Sequence, residues 1–338
     1  METLKCLRRL HRYLSITTGI LHLILNSLLK IQWFSPFIIL IDAILAVYFG
    51  SCKLSPCMVD LDDQTSMHFW APKHRKHNKP NLVIIHGYGA DAKWQFLYQV
   101  GPLAQSFNLY APDLVFFGKS YTNRPDRSDV FQAKCVAEGL KRLGVTQYSV
   151  YSISYGGYVA YSMAEMYPEV VEKMVIVSSG IVWTEEQKVE QLKKIGKDVV
   201  DLLLPQKPED LRLLMNLSIH KYDPLKGLPD VFLRGLIHGF ETNRKQKKEL
   251  VEYLLAKKAG GNLPIIPQET LLIWGDKDKV FPLVFGQQLQ TKLGPKAKLK
   301  ILKDTGHAAN IESAHLLNDS IKEFILDSSK QKNDNLEW

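Results

Sequence analysis

Six short apolar runs, at residues 82–85, 109–111, 149–153, 174–177, 271–274 and 299–302, punctuate the chain from about residue 67 onward. Most are bounded by Gly, Pro or Asp. Runs this short and this apolar predict strands buried on both faces, the pattern of a mostly parallel sheet. Amphipathic stretches, for instance 130–143 and 157–167, fall between most of them. That alternation predicts a doubly wound α/β sheet with helices on both faces. The interval 183–261 breaks the rhythm: apolar residues recur at helical spacing (Val189, Leu192, Ile195, Val199; Leu211, Leu214, Leu217) and no strand is evident. It reads as a helical insertion. The 338 residues are then one core at 65–182 and 262–327, interrupted and extended, rather than two similar domains.

Residues 1–64 form an apolar, basic N-terminal extension. Lys5, Arg8, Arg9 and Arg12 face only Glu2, and an apolar stretch follows from about 14 to 50. Thr18, His22, Asn26 and Lys30 recur every fourth residue among leucines and isoleucines, which predicts a helix with a narrow polar stripe. Pro36 ends that run, and 37–49 is apolar apart from Asp42 and Tyr48. About thirteen helical residues reach only ~20 Å against a hydrocarbon core of ~30 Å. Three readings stay open: a cleaved signal peptide, a membrane-associated helix or hairpin, and helices that cover apolar surface of the core. The polar stripe and the lack of an Ala-x-Ala-like site argue against the first, whereas a basic leader with an amphipathic wheel is what interfacial binding requires. The expected location is the cytoplasmic face of a membrane, reached through residues 1–50, with a soluble cytoplasmic protein as the alternative. The tail 328–338 is polar and reads as loose.

The formal charge of +8 excludes little until it is located. Its one other cluster, Arg244, Lys245, Lys247 and Lys248, is flanked by Glu241, Glu249 and Glu252 and reads as a solvated helix face, so nucleic acid is not an expected partner. Cysteines at 6, 52, 57 and 135 form neither a Cys-x-x-Cys pair nor a Cys/His cluster. No zinc site and no disulfide scaffold is indicated, and a reduced compartment fits best.

Chemistry gathers at the predicted strand ends. After 149–153 comes Ser154-Tyr155-Gly156-Gly157, then a helical run. A serine at a tight strand-to-helix turn projects its hydroxyl, and small neighbours let the turn pack. The pattern Gly-x-Ser-x-Gly would put glycine where this chain has Ser152, which predicts a slightly displaced turn. Ser154 as a simple helix N-cap is the competing reading. Acidic residues, Asp276 and Asp278, end the run 271–274, and His307 follows the last strand. Ser, then Asp, then His, each just past a strand's C-terminal end, is the chain order of a nucleophile, an acid and a base in one α/β sheet. His86-Gly87-Tyr88-Gly89 follows the first parallel strand, and its turn can aim the N–H of Tyr88, as the next turn aims that of Tyr155, at a developing oxyanion. No phosphate-binding glycine motif is completed.

Together with Pro112-Asp113-Leu114, Gly118-Lys119-Ser120 and Trp274-Gly275-Asp276-Lys277-Asp278, these motifs resemble the α/β-hydrolase superfamily over about residues 65–327. More narrowly they are similar to plant members grouped with monoacylglycerol lipases and meta-cleavage-product hydrolases. The resemblance implies an α/β-hydrolase fold, Ser154 as nucleophile, Asp278 rather than Asp276 as acid, His307 as base, and Tyr88 and Tyr155 as oxyanion donors. It also implies that 183–261 caps the site and that neither metal nor organic cofactor is needed. Phe117, Trp183, Val280 and Phe281 are candidates for the substrate pocket. The expected activity is serine hydrolysis of a carboxylic ester, of a small molecule or a lipid; the alternative is a noncatalytic receptor or scaffold that keeps the pocket. Oligomeric state is not legible.

Overall fold

The computed structural model describes residues 35–239, 241–257 and 263–327. The helix expected within 14–30 and the tail 328–338 lie outside the described residues. Among the described residues, nine strands form one sheet: β1 Leu54–Asp60, β2 Thr65–Pro72, β3 Asn81–Ile85, β4 Asn108–Pro112, β5 Tyr121–Thr122, β6 Tyr148–Ile153, β7 Val171–Val177, β8 Glu269–Gly275 and β9 Ala297–Leu302. Their order is β1-β2-β4-β3-β6-β7-β8-β9, with β5 also on β2. Every pair from β4 to β9 is parallel, and β2 joins its neighbours antiparallel.

The six predicted runs are β3, β4, β6, β7, β8 and β9. For β3, β4, β6, β7 and β8 that apolar character follows from two-sided burial, whereas β9, at the sheet edge, buries only Ala297 and Leu302 and leaves Ile301 exposed, so the expectation of two buried faces fails there. On β3, Val83 and Ile85 join one core with the helices Asp129–Arg142 and Tyr155–Met166, while Leu82 and Ile84 join a second with Leu97–Ala104 and Ala314–Leu326. Each of these four is fully buried, and each contributes about 1.5–3 kcal/mol relative to exposure.

The N-terminal boundary differs from the expectation. Residues 54–60, assigned by sequence to the extension, form β1 and pair in register with 66–72. As an edge strand β1 buries only Leu54 and Val59 and tolerates Pro56, so it lacks the continuous apolar run that marks the central strands. Before it, a helix spans Ser35–Ser51, with Pro36 in the first turn, where a missing N–H costs nothing. No helix among the described residues is long and apolar enough to cross a membrane.

Between β7 and β8 the helices Glu185–Ile195, Val199–Leu203, Pro208–Ser218, Asp230–Gly239 and Arg244–Ala256 stand outside the sheet. They lie over the edge where β3, β6, β8 and β9 end, so the loops carrying the candidate residues open beneath them.

Candidate active site

Ser154 sits between β6 and the helix Tyr155–Met166 with φ 54° and ψ −121°, a left-handed conformation that costs a non-glycine residue about 1–3 kcal/mol. Two contacts hold it. Its N–H donates to Val177 O at 2.9 Å, and the helix start is pressed onto β3 so closely that a Cβ on Gly156 would lie 2.5 Å from the carbonyl oxygens of both Ile85 and His86. The Ser154 side chain caps no helix N–H. Ser152, in place of the motif glycine, is fully buried and donates to Val175 O at 3.3 Å. Its hydroxyl is absorbed by the neighbouring strand, and with serine at this position Ser154 still reaches His307.

Ser154 Oγ lies 2.9 Å from His307 Nε2, and His307 Nδ1 lies 3.0 Å from Asp278 Oδ2. A carboxylate only accepts, so Nδ1 carries the hydrogen and Nε2 presents its lone pair to the serine. Asp278 is oriented by its other oxygen, which accepts from the backbone N–H groups of Val280 and Phe281, each at 2.8 Å. Asp276 points elsewhere: its Oδ1 accepts from Thr305 N at 3.3 Å and its Oδ2 pairs with Lys277. It joins the loop after β8 to the loop that carries His307. Gly275 lets those loops meet, because a Cβ there would collide with the Thr305 carbonyl oxygen.

The turn after β3 abuts the serine turn. A Cβ on Gly87 would stand 3.1 Å from Ser154 Cβ, and the Tyr88 and Tyr155 rings meet edge to face, 6.4 Å between centroids. His86 is fully buried; its Nε2 accepts from Leu114 N at 2.9 Å and its Nδ1 donates to Gly87 O at 2.7 Å. Burial pulls its pKa down, so it stays neutral and holds both loops. Two clamps escape sequence reasoning. Gln95 accepts from Gly87 N and donates to Gly87 O and Ala90 O. Glu312 accepts from Gly306 N, beside His307, and from His220 N in the helical insert. Isolated Gln and Glu residues in helices carry no pattern that would have marked them.

A cavity of about 440 Å³ opens over Ser154 and His307. Leucines of the insert, among them Leu192, Leu202, Leu214 and Leu236, dominate its wall. Of the pocket candidates, Trp183, Val280 and Phe281 line it, and so do Tyr88 and Tyr155. Phe281 also stacks edge-on against His307 at 5.5 Å. Phe117 does not line it. It is fully buried behind the turn, packed on His86 and Tyr88, because the loop after β4 folds under the site rather than into it. The basic run is also not simply solvated: Arg244 and Lys247 reach the cavity wall, and burial lowers the Lys247 ammonium to about 8. Among the described residues, no group of three or more His, Cys, Asp or Glu side chains is placed to hold a metal ion.

A family model described as alpha/beta hydrolase fold matches residues 80–314. The chain is 27% identical over 258 residues to a 2-hydroxy-6-oxononadienedioate/2-hydroxy-6-oxononatrienedioate hydrolase of Pseudomonas sp, spanning 72% of this chain and 87% of that enzyme. The solved structure of a bacterial membrane phospholipase A superposes with a TM-score of 0.72 at 24% identity, over 95% of this chain and 97% of that one. A 2-hydroxy-6-oxo-6-phenylhexa-2,4-dienoate hydrolase from Rhodococcus sp. strain RHA1 superposes with a TM-score of 0.68 at 19% identity, over 81% and 99%. At these identities the two structures show the fold.

Proposed function

The chain belongs to the alpha/beta hydrolase fold family, and from that premise we propose that it is a serine hydrolase cleaving carboxylic esters with apolar acyl groups, lipids or acylglycerols among them. The observation that carries this reading is the unbroken chain of hydrogen bonds from Ser154 Oγ through His307 to Asp278, at the floor of a leucine-walled cavity. His307 Nε2 takes the Ser154 proton as Oγ attacks the ester carbonyl. Negative charge on the carbonyl oxygen is met by the backbone N–H groups of Tyr88 and Tyr155, each worth roughly 3–4 kcal/mol. The imidazolium, stabilised by Asp278, returns the proton to the departing alcohol and leaves an acyl-Ser154 ester. Water, activated by the same imidazole, then releases the acid. The helical insert acts as a cap that keeps the acyl chain out of water, and residues 1–50 bring the protein to a membrane.

A fluorophosphonate probe should label the protein at Ser154 and fail on Ser154→Ala. Labelling that persists in the variant would refute the assignment. Turnover of p-nitrophenyl butyrate separates an enzyme from a receptor, which would release product stoichiometrically or not at all.

A further inference from the structure

The helix Ser35–Ser51 wears its apolar side outward. Phe37, Ile39, Leu40, Ile44 and Val47 are 45, 65, 56, 57 and 73% exposed. At 100° per residue these positions and Ala43, also exposed, fall within one side of the helix. From Phe37 to Val47 not one polar side chain interrupts that arc, which ends one turn later at Ser51. The opposite side, Ile38, Leu45 and Phe49, is buried in the fold. The one charge of the helix, Asp42, is engaged with the core, pairing with Lys93 at 2.8 Å and accepting from Trp94 Nε1 at 3.1 Å. A surface helix ordinarily turns its polar face to water, so this one is inverted. A contiguous exposed patch of this kind marks an interaction surface.

The buried side of the same helix backs the substrate cavity. Trp94, which bonds Asp42, lines it. So do Leu236 and Ile237 on the helix Asp230–Gly239, which meets Ser35–Ser51 through the Phe37–Phe232 ring contact at 5.9 Å and a close approach of Ile38 to Gly239. One element therefore presents leucine, isoleucine, phenylalanine and valine to the outside and packs on its inside against the segments that wall the cavity. Seventeen residues of helix measure about 25 Å, too short to cross a ~30 Å hydrocarbon core but suited to lying within an interface. The chain that precedes it contains 34 residues and opens with Lys5, Arg8, Arg9 and Arg12, charges complementary to anionic headgroups.

We propose that the exposed arc of Ser35–Ser51 is a lipid-docking face, on which the protein lies with this helix in the interface of an anionic membrane and the cavity wall directly behind it. The inference deepens the hydrolase reading by naming where the substrate is collected, and it rests on that reading only for the purpose of the docking.

The full chain should float with phosphatidylcholine vesicles containing one-fifth phosphatidylserine. The double variant Ile44→Glu, Val47→Glu should lower the partition coefficient at least tenfold and leave hydrolysis of soluble p-nitrophenyl butyrate unchanged. Val189→Glu, at a comparably exposed apolar position of the helical insert, should change neither. An environment-sensitive dye on Val47→Cys should shift to the blue on adding vesicles. Flotation of the double variant like the parent would overturn the proposal. So would a dye already in apolar surroundings in buffer and indifferent to vesicles, which would mean that the chain's own first residues or a second copy covers the arc. Failure of the hydrolase reading would be distinct: no turnover of the soluble ester, with flotation intact.

Discussion

Replacing Asp278 with Asn tests the candidate site through the direction of a single hydrogen bond. Asp278 Oδ1 accepts from Val280 N and Phe281 N, and Oδ2 from His307 Nδ1. In Asp278→Asn one of these positions becomes an NH₂ group. If the NH₂ took the Oδ1 place, two buried backbone donors would lose their acceptor, at about 1–3 kcal/mol each. The carbonyl oxygen therefore stays on the backbone, and the alternative, about 2–6 kcal/mol higher, is populated to about 4% at most. The NH₂ then faces His307 Nδ1, which must accept, and the ring adopts the tautomer with hydrogen on Nε2. That hydrogen points at Ser154 Oγ, so the imidazole has no lone pair for the serine proton. With a residual fraction of ~4%, kcat falls by at least ~25-fold, and by up to ~10⁴-fold once the lost negative charge beside the imidazolium is added. At 1.36 kcal/mol per decade this is about 2–5.4 kcal/mol of barrier. Steady-state hydrolysis of p-nitrophenyl butyrate should show the loss in kcat with KM nearly unchanged. The thermal midpoint should move by no more than a few degrees, because both backbone bonds survive. A kcat within fivefold of the parent, or a larger fall in Asp276→Asn than in Asp278→Asn, would refute the reasoning.

Gly156→Ala places a methyl 2.5 Å from two β3-end carbonyls, and the turn carrying Tyr88 must yield by nearly ~1 Å; activity should drop by roughly 10²-fold with about 1–3 kcal/mol of stability, read by the same ester assay and by urea unfolding. Across p-nitrophenyl esters of rising acyl length, kcat/KM should climb by up to about fourfold per methylene, the equivalent of ~0.8 kcal/mol, until the leucine-walled cavity is full. Leu214→Trp should bring that plateau to a shorter chain. The Lys247 ammonium titrates near 8 in the folded protein because burial opposes its charge, whereas an unfolded lysine titrates at about 10.4. Between these values the unfolded chain holds the extra proton, so the lysine's unfavourable contribution shrinks as pH rises. Lys247→Met should raise the thermal midpoint at pH 7.5, and the gap to the parent should narrow toward pH 10; a gap that widens would contradict the sign.

Much of the fold is legible in the sequence because the central strands bury both faces. Six apolar runs with few alternatives correspond to six of the nine strands. What escapes are strands whose polar residues break the apolar run. β1 is an edge strand that buries only Leu54 and Val59, and β2 is buried from Thr65 to Trp70 but includes Thr65, Ser66 and His68, whose partners, Thr122 and Asp113 among them, lie on other segments. Phe117 illustrates the converse. Its position in a loop after β4 makes it a reasonable pocket residue, and only the path of that loop turns it under His86.

The sequence by itself determines the order of elements and the positions of a serine, two aspartates and a histidine at strand ends, since periodicity and turn chemistry are local properties. It does not distinguish Asp278 from Asp276 without a family likeness to lean on. That difference lies in two backbone N–H groups aimed at one carboxylate and a threonine N–H aimed at the other. Nor does it show that Ser152 can stand in for glycine, which depends on a carbonyl across the sheet at Val175. It does not reveal that Ser35–Ser51 turns Phe37, Ile39, Leu40, Ile44 and Val47 outward either, because an apolar helix reads alike whether it is covered or exposed. Hydrogen-bond direction and solvent contact are relations between segments far apart in the chain, and they acquire values only when the sheet has brought those segments together.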